Sequence, residues 1–124
     1  MRLPYSLLWL MTFFAFTFLN VKGANYSNNY HSAHSIQETI MDNLNSLKIY
    51  PNPLTHKSAL ILRFKNTIDA TLNIYDLTGN LILTDSITND STKLVDVFSF
   101  NNGIYLLQIE TDIATITRKI VIKR

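Results

Sequence analysis

The chain has 124 residues, of which 47% are hydrophobic and 16% are charged, and it contains no Cys. This length is typical of one domain and excludes folds that need a longer chain, such as a TIM barrel, a kinase or a two-domain dehydrogenase. Because the chain has no Cys, a disulfide scaffold, a thiolate metal site, a cysteine nucleophile and a lipid-modified Cys are all excluded. The formal net charge of +2 gives no support for a nucleic-acid partner.

Residues 1–23 have the pattern of a signal peptide. A short positive start is followed by an almost wholly apolar run, 7–19, which is shorter than the about 20 residues of a membrane-spanning helix and fits a secretory signal. We predict cleavage between Gly23 and Ala24, which leaves no stable membrane span. A short uncleaved anchor is the alternative. Without Arg2 and Lys22 the mature chain has nine basic and nine acidic residues, so it is neutral.

Residues 24–46 are rich in Asn, Ser, His and Tyr, a composition that buries too little apolar surface to offset the chain entropy. We therefore predict a mostly disordered polar linker. Weak helical spacing begins at Ser35, and Glu38 follows three residues later, which is typical of a capping box and predicts a short helix. His31 and His34 have a spacing that can ligate a metal, but with no third ligand nearby a solvated linker is favoured.

From residue 47 onward, apolar and more polar residues alternate with a period of two, which predicts β-strands. Pro51 and Pro53 end the first strand, because proline donates no hydrogen bond to a sheet. Gly79 supplies the positive φ that a turn between two strands demands. Seven short strands are predicted, at 47–50, 58–64, 69–75, 80–86, 93–98, 104–110 and 114–122. Their spacing predicts an all-β domain at 47–124, a small antiparallel two-sheet β-sandwich of the Ig-like type.

The sequence contains none of the common motifs of catalytic, phosphate-binding or metal-binding sites. The chain lacks a Gly-rich phosphate loop, a Gly-x-Ser-x-Gly elbow, a His-Glu-x-x-His pair and a calcium loop. His56, an Asp and a Ser could form a triad on paper, but such triples occur by chance in almost any chain. We therefore predict no catalytic residue, no metal, no cofactor and no enzymatic activity.

Four blocks in the β-rich region occur in a characteristic order, and the last of them ends at the C-terminus. They are Leu-Lys-Ile-Tyr-Pro-Asn-Pro (47–53), Leu-Asn-Ile-Tyr-Asp-Leu-Thr-Gly-Asn (72–80), Asn-Gly-Ile-Tyr-Leu-Leu-Gln-Ile (102–109) and Arg-Lys-Ile-Val-Ile-Lys-Arg (118–124). In this order the blocks resemble the type A C-terminal sorting domain of the type IX secretion system of Bacteroidota. The resemblance covers 47–124, and the signal peptide at the other end is what such cargo requires.

The resemblance implies passage through the Sec translocase into the periplasm, recognition by an outer-membrane translocon and, commonly, removal of the domain by a sortase-like protease at the cell surface. The protein would then be secreted or held at the cell surface, with the domain acting as substrate and not as catalyst. The candidate sorting residues lie in the four blocks: Pro51, Asn52, Pro53, Asp76, Gly79, Gly103, Tyr105, Lys119 and Lys123.

Roles can be suggested for several of these residues. Pro51 and Pro53 are expected to stiffen the start of the domain, or merely to end a strand. Gly103 is expected to permit the backbone conformation that starts a strand, with Tyr105 packing inward beneath it. The basic residues Arg118, Lys119, Lys123 and Arg124 give the last strand a basic end, which would meet the translocon or keep an edge strand from aggregating.

Family members usually carry a large cargo domain between the signal and the sorting domain, whereas only 23 residues intervene here. A short peptide cargo, a gene remnant and a domain that is itself the product remain open. A β-sandwich adhesion or carbohydrate-binding module is the alternative function; Tyr26, Tyr30, Tyr50 and Tyr75 would be its candidate contacts. A hydrolase ranks last, because nothing in the sequence activates a nucleophile.

Overall fold

A computed structural model describes residues 26–124 apart from residue 57, with side chains described from residue 32 onward. The elements are one helix and five strands: α1 (Tyr26–Asn45), β1 (Lys48–Tyr50), β2 (Ala59–Asp76), β3 (Leu81–Asp96), β4 (Gly103–Glu110) and β5 (Thr115–Ile122). The sheet and the C-terminal part of α1 belong to one compact unit, His34–Arg124. The predicted signal peptide and its cleavage between Gly23 and Ala24 lie outside the described residues.

The strands form one antiparallel sheet around the long strand β2. β3 pairs with β2 along nearly its whole length, from Ala59↔Asp96 to Tyr75↔Leu81. The opposite edge of β2 is shared, since β1 pairs with its first part and β4 with its last part. β5 lies beyond β4, with a continuous register from Gly103↔Ile122 to Glu110↔Thr115. The C-terminal strand is therefore the last strand on this side of the sheet.

The prediction of a β-rich domain is confirmed, but seven strands in a two-sheet sandwich are not. The predicted strands 58–64 and 69–75 are two parts of β2, and 80–86 and 93–98 are two parts of β3. The register between β2 and β3 shifts near Arg63, Ile68 and Ile74. Such shifts bend and twist a strand without ending it. One curled sheet therefore encloses the core, whereas the sequence had suggested two separate sheets.

The predicted alternation of buried and exposed residues is confirmed. In β2, Leu60, Leu62 and Phe64 are buried, as are Leu72 and Ile74. The other strands contribute a second set of buried side chains: Ile87, Val95, Tyr105, Leu107, Ile109, Ile116, Ile120 and Ile122. Successive side chains of a strand point to opposite faces, so one face of each strand supplies the core.

The polar segment before the sheet differs from the prediction. Residues 26–45 are helical, so the linker is not mostly disordered, and Ser35 lies inside α1 and not at its N-cap. The reason is tertiary: Leu44 is fully buried, and Leu47 after the helix is nearly so. Burial of these side chains stabilises a helix that the local composition disfavours.

Asn43 ties α1 to the bend of β2. Its Oδ1 accepts a hydrogen bond from the Asn66 N–H at 2.9 Å, and its Nδ2 donates to the carbonyls of Asn66 and Thr67 at 3.2 and 3.3 Å. Asn43 is buried, and its amide satisfies backbone groups where the ladder between β2 and β3 is interrupted. Asp42 also forms an exposed ion pair with Lys65, 3.0 Å between Oδ2 and Nζ.

Among the residues that the structure describes, no helix combines the length and the apolar character needed to span a membrane.

Candidate functional site

Residues 51–54 run along the outer edge of β5. Strand β1 ends at Tyr50, directly before Pro51, as predicted, and the peptide bonds before Pro51 and Pro53 are both cis. Between the two prolines, Asn52 uses both ends of its amide: Nδ2 donates to the Lys119 carbonyl at 2.9 Å, and Oδ1 accepts from the Val121 N–H at 3.0 Å. The first and the last sequence blocks are therefore in direct contact.

Leu54 continues this contact along β5. Its N–H donates to the Val121 carbonyl at 2.8 Å, and its carbonyl accepts from the Lys123 N–H at 2.8 Å, which makes an isolated parallel bridge opposite Ile122. The Leu54 side chain is fully buried. Asn52 and Leu54 together bond the outward backbone groups of Lys119 and Val121 in β5 and of Lys123 directly after it. An edge strand normally leaves such groups open for pairing, but here residues 51–54 occupy them.

The C-terminal residue is held by a second asparagine. Asn102, in the loop between β3 and β4, donates from Nδ2 to the Arg124 carbonyl at 3.0 Å and accepts at Oδ1 from the Arg124 N–H at 2.8 Å. The Arg124 guanidinium donates to the carbonyls of Val97 and Phe98 and lies 6.0 Å from the centroid of the Phe98 ring. The third sequence block thus holds the end of the fourth.

Gly103 and Tyr105 follow this loop at the start of β4. Tyr105 is buried, as expected; its Oη donates to the Asn101 carbonyl at 3.0 Å, and its ring lies 5.0 Å from that of Phe100. β4 begins at Gly103, whose φ is not positive, since only Asn89 and Gly79 have a positive φ among the described residues. A Cβ at Gly103 would approach Tyr105 to only 3.8 Å, an ordinary contact.

Asp76 organises the turn between β2 and β3. Its Oδ1 accepts from the Thr78 hydroxyl at 2.7 Å and from the N–H groups of Thr78 and Asn80 at 2.9 Å, while Oδ2 accepts from Asn80 Nδ2 at 2.9 Å. Hydrogen bonds from the side chains of Thr78 and Asn80 are the main cause that lowers the pKa of Asp76 to about 2. Gly79 has a φ of +90°, which confirms the predicted use of glycine here.

The predicted basic end of β5 is divided between two faces. Lys119 and Lys123 are exposed and alternate with the buried Ile120 and Ile122, so they point to the outer face of the sheet. Arg118 lies on the same face of β5 as the buried Ile120. The Arg124 guanidinium is bound to backbone carbonyls. Only the two lysines of this group are therefore available on the outer face.

The structure brings three of the four blocks into contact at β5 and places the second block beside the third, since Asp76 lies opposite Tyr105. Asn102 and Leu54 were not predicted to contribute. An asparagine in a loop beside a glycine indicates a turn, and nothing in the local pattern shows that its amide bonds a strand end 22 residues further along the chain. In this arrangement the amides of Asn52 and Asn102 and the backbone of Leu54 bind the backbone at the C-terminal end of the sheet. Two lysine ammonium groups beside aliphatic side chains remain exposed.

The sheet region is similar in sequence to known proteins. A family described as the secretion system C-terminal sorting domain matches residues 48–123. An endo-acting ulvan lyase from Formosa agariphila is 30% identical over 63 residues, which are 51% of this chain and 12% of that enzyme. The chain thus corresponds to a small part of this relative's length. Because the family match covers more than half of the 124 residues, the chain belongs to the family of type IX secretion C-terminal sorting domains.

Proposed function

We propose that this chain is an exported protein whose C-terminal domain directs its transport across the outer membrane by the type IX system, as a type A sorting domain. The observation that carries the proposal is that the family match spans the whole sheet, from β1 to β5. Such a domain implies export to the cell surface or secretion. The route we propose begins at the Sec translocase, continues with signal cleavage between Gly23 and Ala24, and passes through the periplasm to the outer-membrane translocon.

In this proposal the domain is a transport signal and not an enzyme. The exposed groups near β5 are amides, lysines and aliphatic side chains, which suit recognition by a protein. A sortase-like protease would act on the chain upstream of the sheet. The similarity to the ulvan lyase covers 12% of that enzyme, so we do not extend its activity to this chain.

The proposal is tested by following a reporter in cells. The reporter is inserted between Ala24 and Asn25 of the full chain, and the fusion is expressed in a bacterium with the type IX system and in a strain without the translocon. We expect the reporter at the cell surface or in the medium of the first strain and in the periplasm of the second.

The matched control carries the same signal peptide and reporter but no residues after 33. It should remain periplasmic in both strains. Periplasmic retention of the complete fusion in the competent strain, with the sheet folded, would contradict the proposed function.

A further inference from the structure

The outer face of the sheet carries an apolar strip where polar residues are expected. In antiparallel sheets the face away from the core is normally solvated and polar. Here the strip consists of Tyr75, Leu81, Ile104, Leu106 and Val121. Leu81, Ile104 and Leu106 are 55%, 40% and 37% exposed, and Tyr75 and Val121 are half-buried.

The register shows that these side chains are neighbours. Tyr75 lies opposite Leu81 on one side and opposite Leu106 on the other. Ile104 lies opposite Val121, and Leu106 lies opposite Lys119. Directly opposite residues on antiparallel strands have their side chains in contact. The apolar strip therefore crosses β3, β2, β4 and β5 and ends at Lys119, with Lys123 directly after the end of β5.

This strip is not a simple consequence of strand composition. Four of its five residues come from the blocks at 72–80, 102–109 and 118–124, and they alternate with the residues that build the core. The core needs only the alternate positions to be apolar, so burial in the core does not account for the apolar residues on the other face. Contiguous exposed apolar surface of this kind is typical of contact sites for other proteins or membranes.

The backbone of β5 is not available to the partner. The outward groups of Lys119, Val121 and Lys123 are bonded to Asn52 and Leu54. A partner cannot add a strand to this part of the edge without displacing residues 51–54. Contact must therefore be made through side chains on the face of the sheet.

The positive charges of Lys119 and Lys123 indicate what kind of partner this face can bind. Lys119 and Lys123 form no ion pair within the part of the chain that the structure describes. A membrane surface is usually bound through clusters of four to eight basic residues, whereas two lysines at the end of an apolar strip complement a small number of carboxylates. The charge pattern thus favours a protein surface over an anionic membrane.

We propose that the apolar strip, together with Lys119 and Lys123, is the docking surface of this sorting domain, and that its partner is a protein of the secretion machinery with an apolar surface bordered by carboxylates. The inference rests on the proposed function, and it adds which face is read and by what contacts.

The test uses the reporter fusion of the full chain in the competent strain. Leu106→Glu places a carboxylate in the strip, and Lys119→Glu reverses the charge at its end. We expect each variant to reduce surface reporter about tenfold or more, which corresponds to a binding loss of about 1.4 kcal/mol, while Lys119→Arg retains export. The matched controls are Ile113→Glu, at an exposed apolar residue in the loop between β4 and β5, and Lys48→Glu, at an exposed position in β1, and they should export normally.

Circular dichroism and thermal unfolding of the purified variants establish that each is folded. Folded Leu106→Glu and Lys119→Glu variants that export as well as the unaltered fusion would overturn the docking surface and leave the proposed function intact. Equal loss in the two controls would also overturn it. Retention of the unaltered fusion would overturn the proposed function and this inference together.

A membrane partner is examined separately. The purified chain is sedimented with vesicles of phosphatidylethanolamine and phosphatidylglycerol. We expect no binding; binding that is lost in Lys119→Glu would replace the protein partner by an anionic lipid surface.

Discussion

Asp76 and Gly79 make the turn between β2 and β3 by different means. The Asp76 carboxylate accepts three hydrogen bonds at Oδ1 and one at Oδ2. These bonds connect the end of β2 to Thr78 and Asn80 in the turn. Gly79 provides the left-handed backbone, and a Cβ at this position would meet no atom within 4 Å. The turn therefore depends on a negative charge at one residue and on a backbone conformation at the other, and the two can be tested independently.

Replacing Gly79 by Ala should lower the free energy of unfolding by about 1–2 kcal/mol, because an L-residue is strained at positive φ. Gly103→Ala is the matched control, since its φ is not in this region, and it should change stability by less than about 0.5 kcal/mol. Equilibrium urea unfolding of residues 24–124 measures both. Equal effects of the two substitutions would contradict the backbone explanation.

The turn should also make stability depend on pH. The pKa of Asp76 is lowered from 3.8 to about 2 in the folded chain, so its ionised form stabilises the fold above pH 3.8, and this contribution is lost as the pH falls through about 2. Asp76→Asn should therefore lower the thermal midpoint at neutral pH and show a smaller further loss between pH 4 and 2. Asp112→Asn, at an exposed carboxylate, is the control. A parallel pH dependence of Asp76→Asn and the unaltered chain would exclude this role.

Contacts between the helix and the strands determine how far these elements extend. β2 continues through 64–69, which contains neither Gly nor Pro, because β3 bends with it and α1 packs beside the irregular part. Asn43 bonds Asn66 and Thr67 there, and Leu44 is buried in the core. β5 likewise has its edge covered by residues 51–54. The C-terminal part of α1 and residues 51–54 are thus structural parts of the sheet domain.

Leu44→Ala should lower the free energy of unfolding of residues 24–124 by about 2–4 kcal/mol, as expected for the loss of a fully buried leucine side chain. Asn45→Ala, at the exposed neighbouring position, is the matched control and should have little effect. Urea unfolding followed by circular dichroism distinguishes the two. If Leu44→Ala is as stable as Asn45→Ala, then α1 does not pack on the core as described.

For the whole molecule, the C-terminal residues belong both to the core and to the proposed docking surface. Ile120 and Ile122 are buried in the core, while Lys119, Val121 and Lys123 face outward. Arg124 fastens the end of the chain to the loop between β3 and β4. A truncation at this end therefore removes part of the core together with the proposed docking surface. Loss of export after such a truncation does not separate the two effects.

Deletion of residues 120–124 should unfold the domain, because it removes two buried isoleucines and every hydrogen bond between β5 and residues 52–54 apart from the one to Lys119. The expected loss of about 4 kcal/mol or more is a large part of the stability of a small domain. Circular dichroism should show loss of the β signal, whereas Lys123→Ala, at an exposed position, should retain it. A folded truncated chain would contradict the central place of β5 in the core.

The β class, the core positions, the end of β1 at Pro51 and the turn at Gly79 could be predicted from sequence, because alternation of side chains and the conformations of proline and glycine are local properties of the backbone. The bend of β2, the helix beside it and the contact of Asn52 with Val121, 69 residues apart, could not. Each of these three features depends on contacts between residues that are distant in the sequence and meet only in the folded chain. The same holds for the outer face, where Leu106 and Lys119 become neighbours only through the register of β4 and β5.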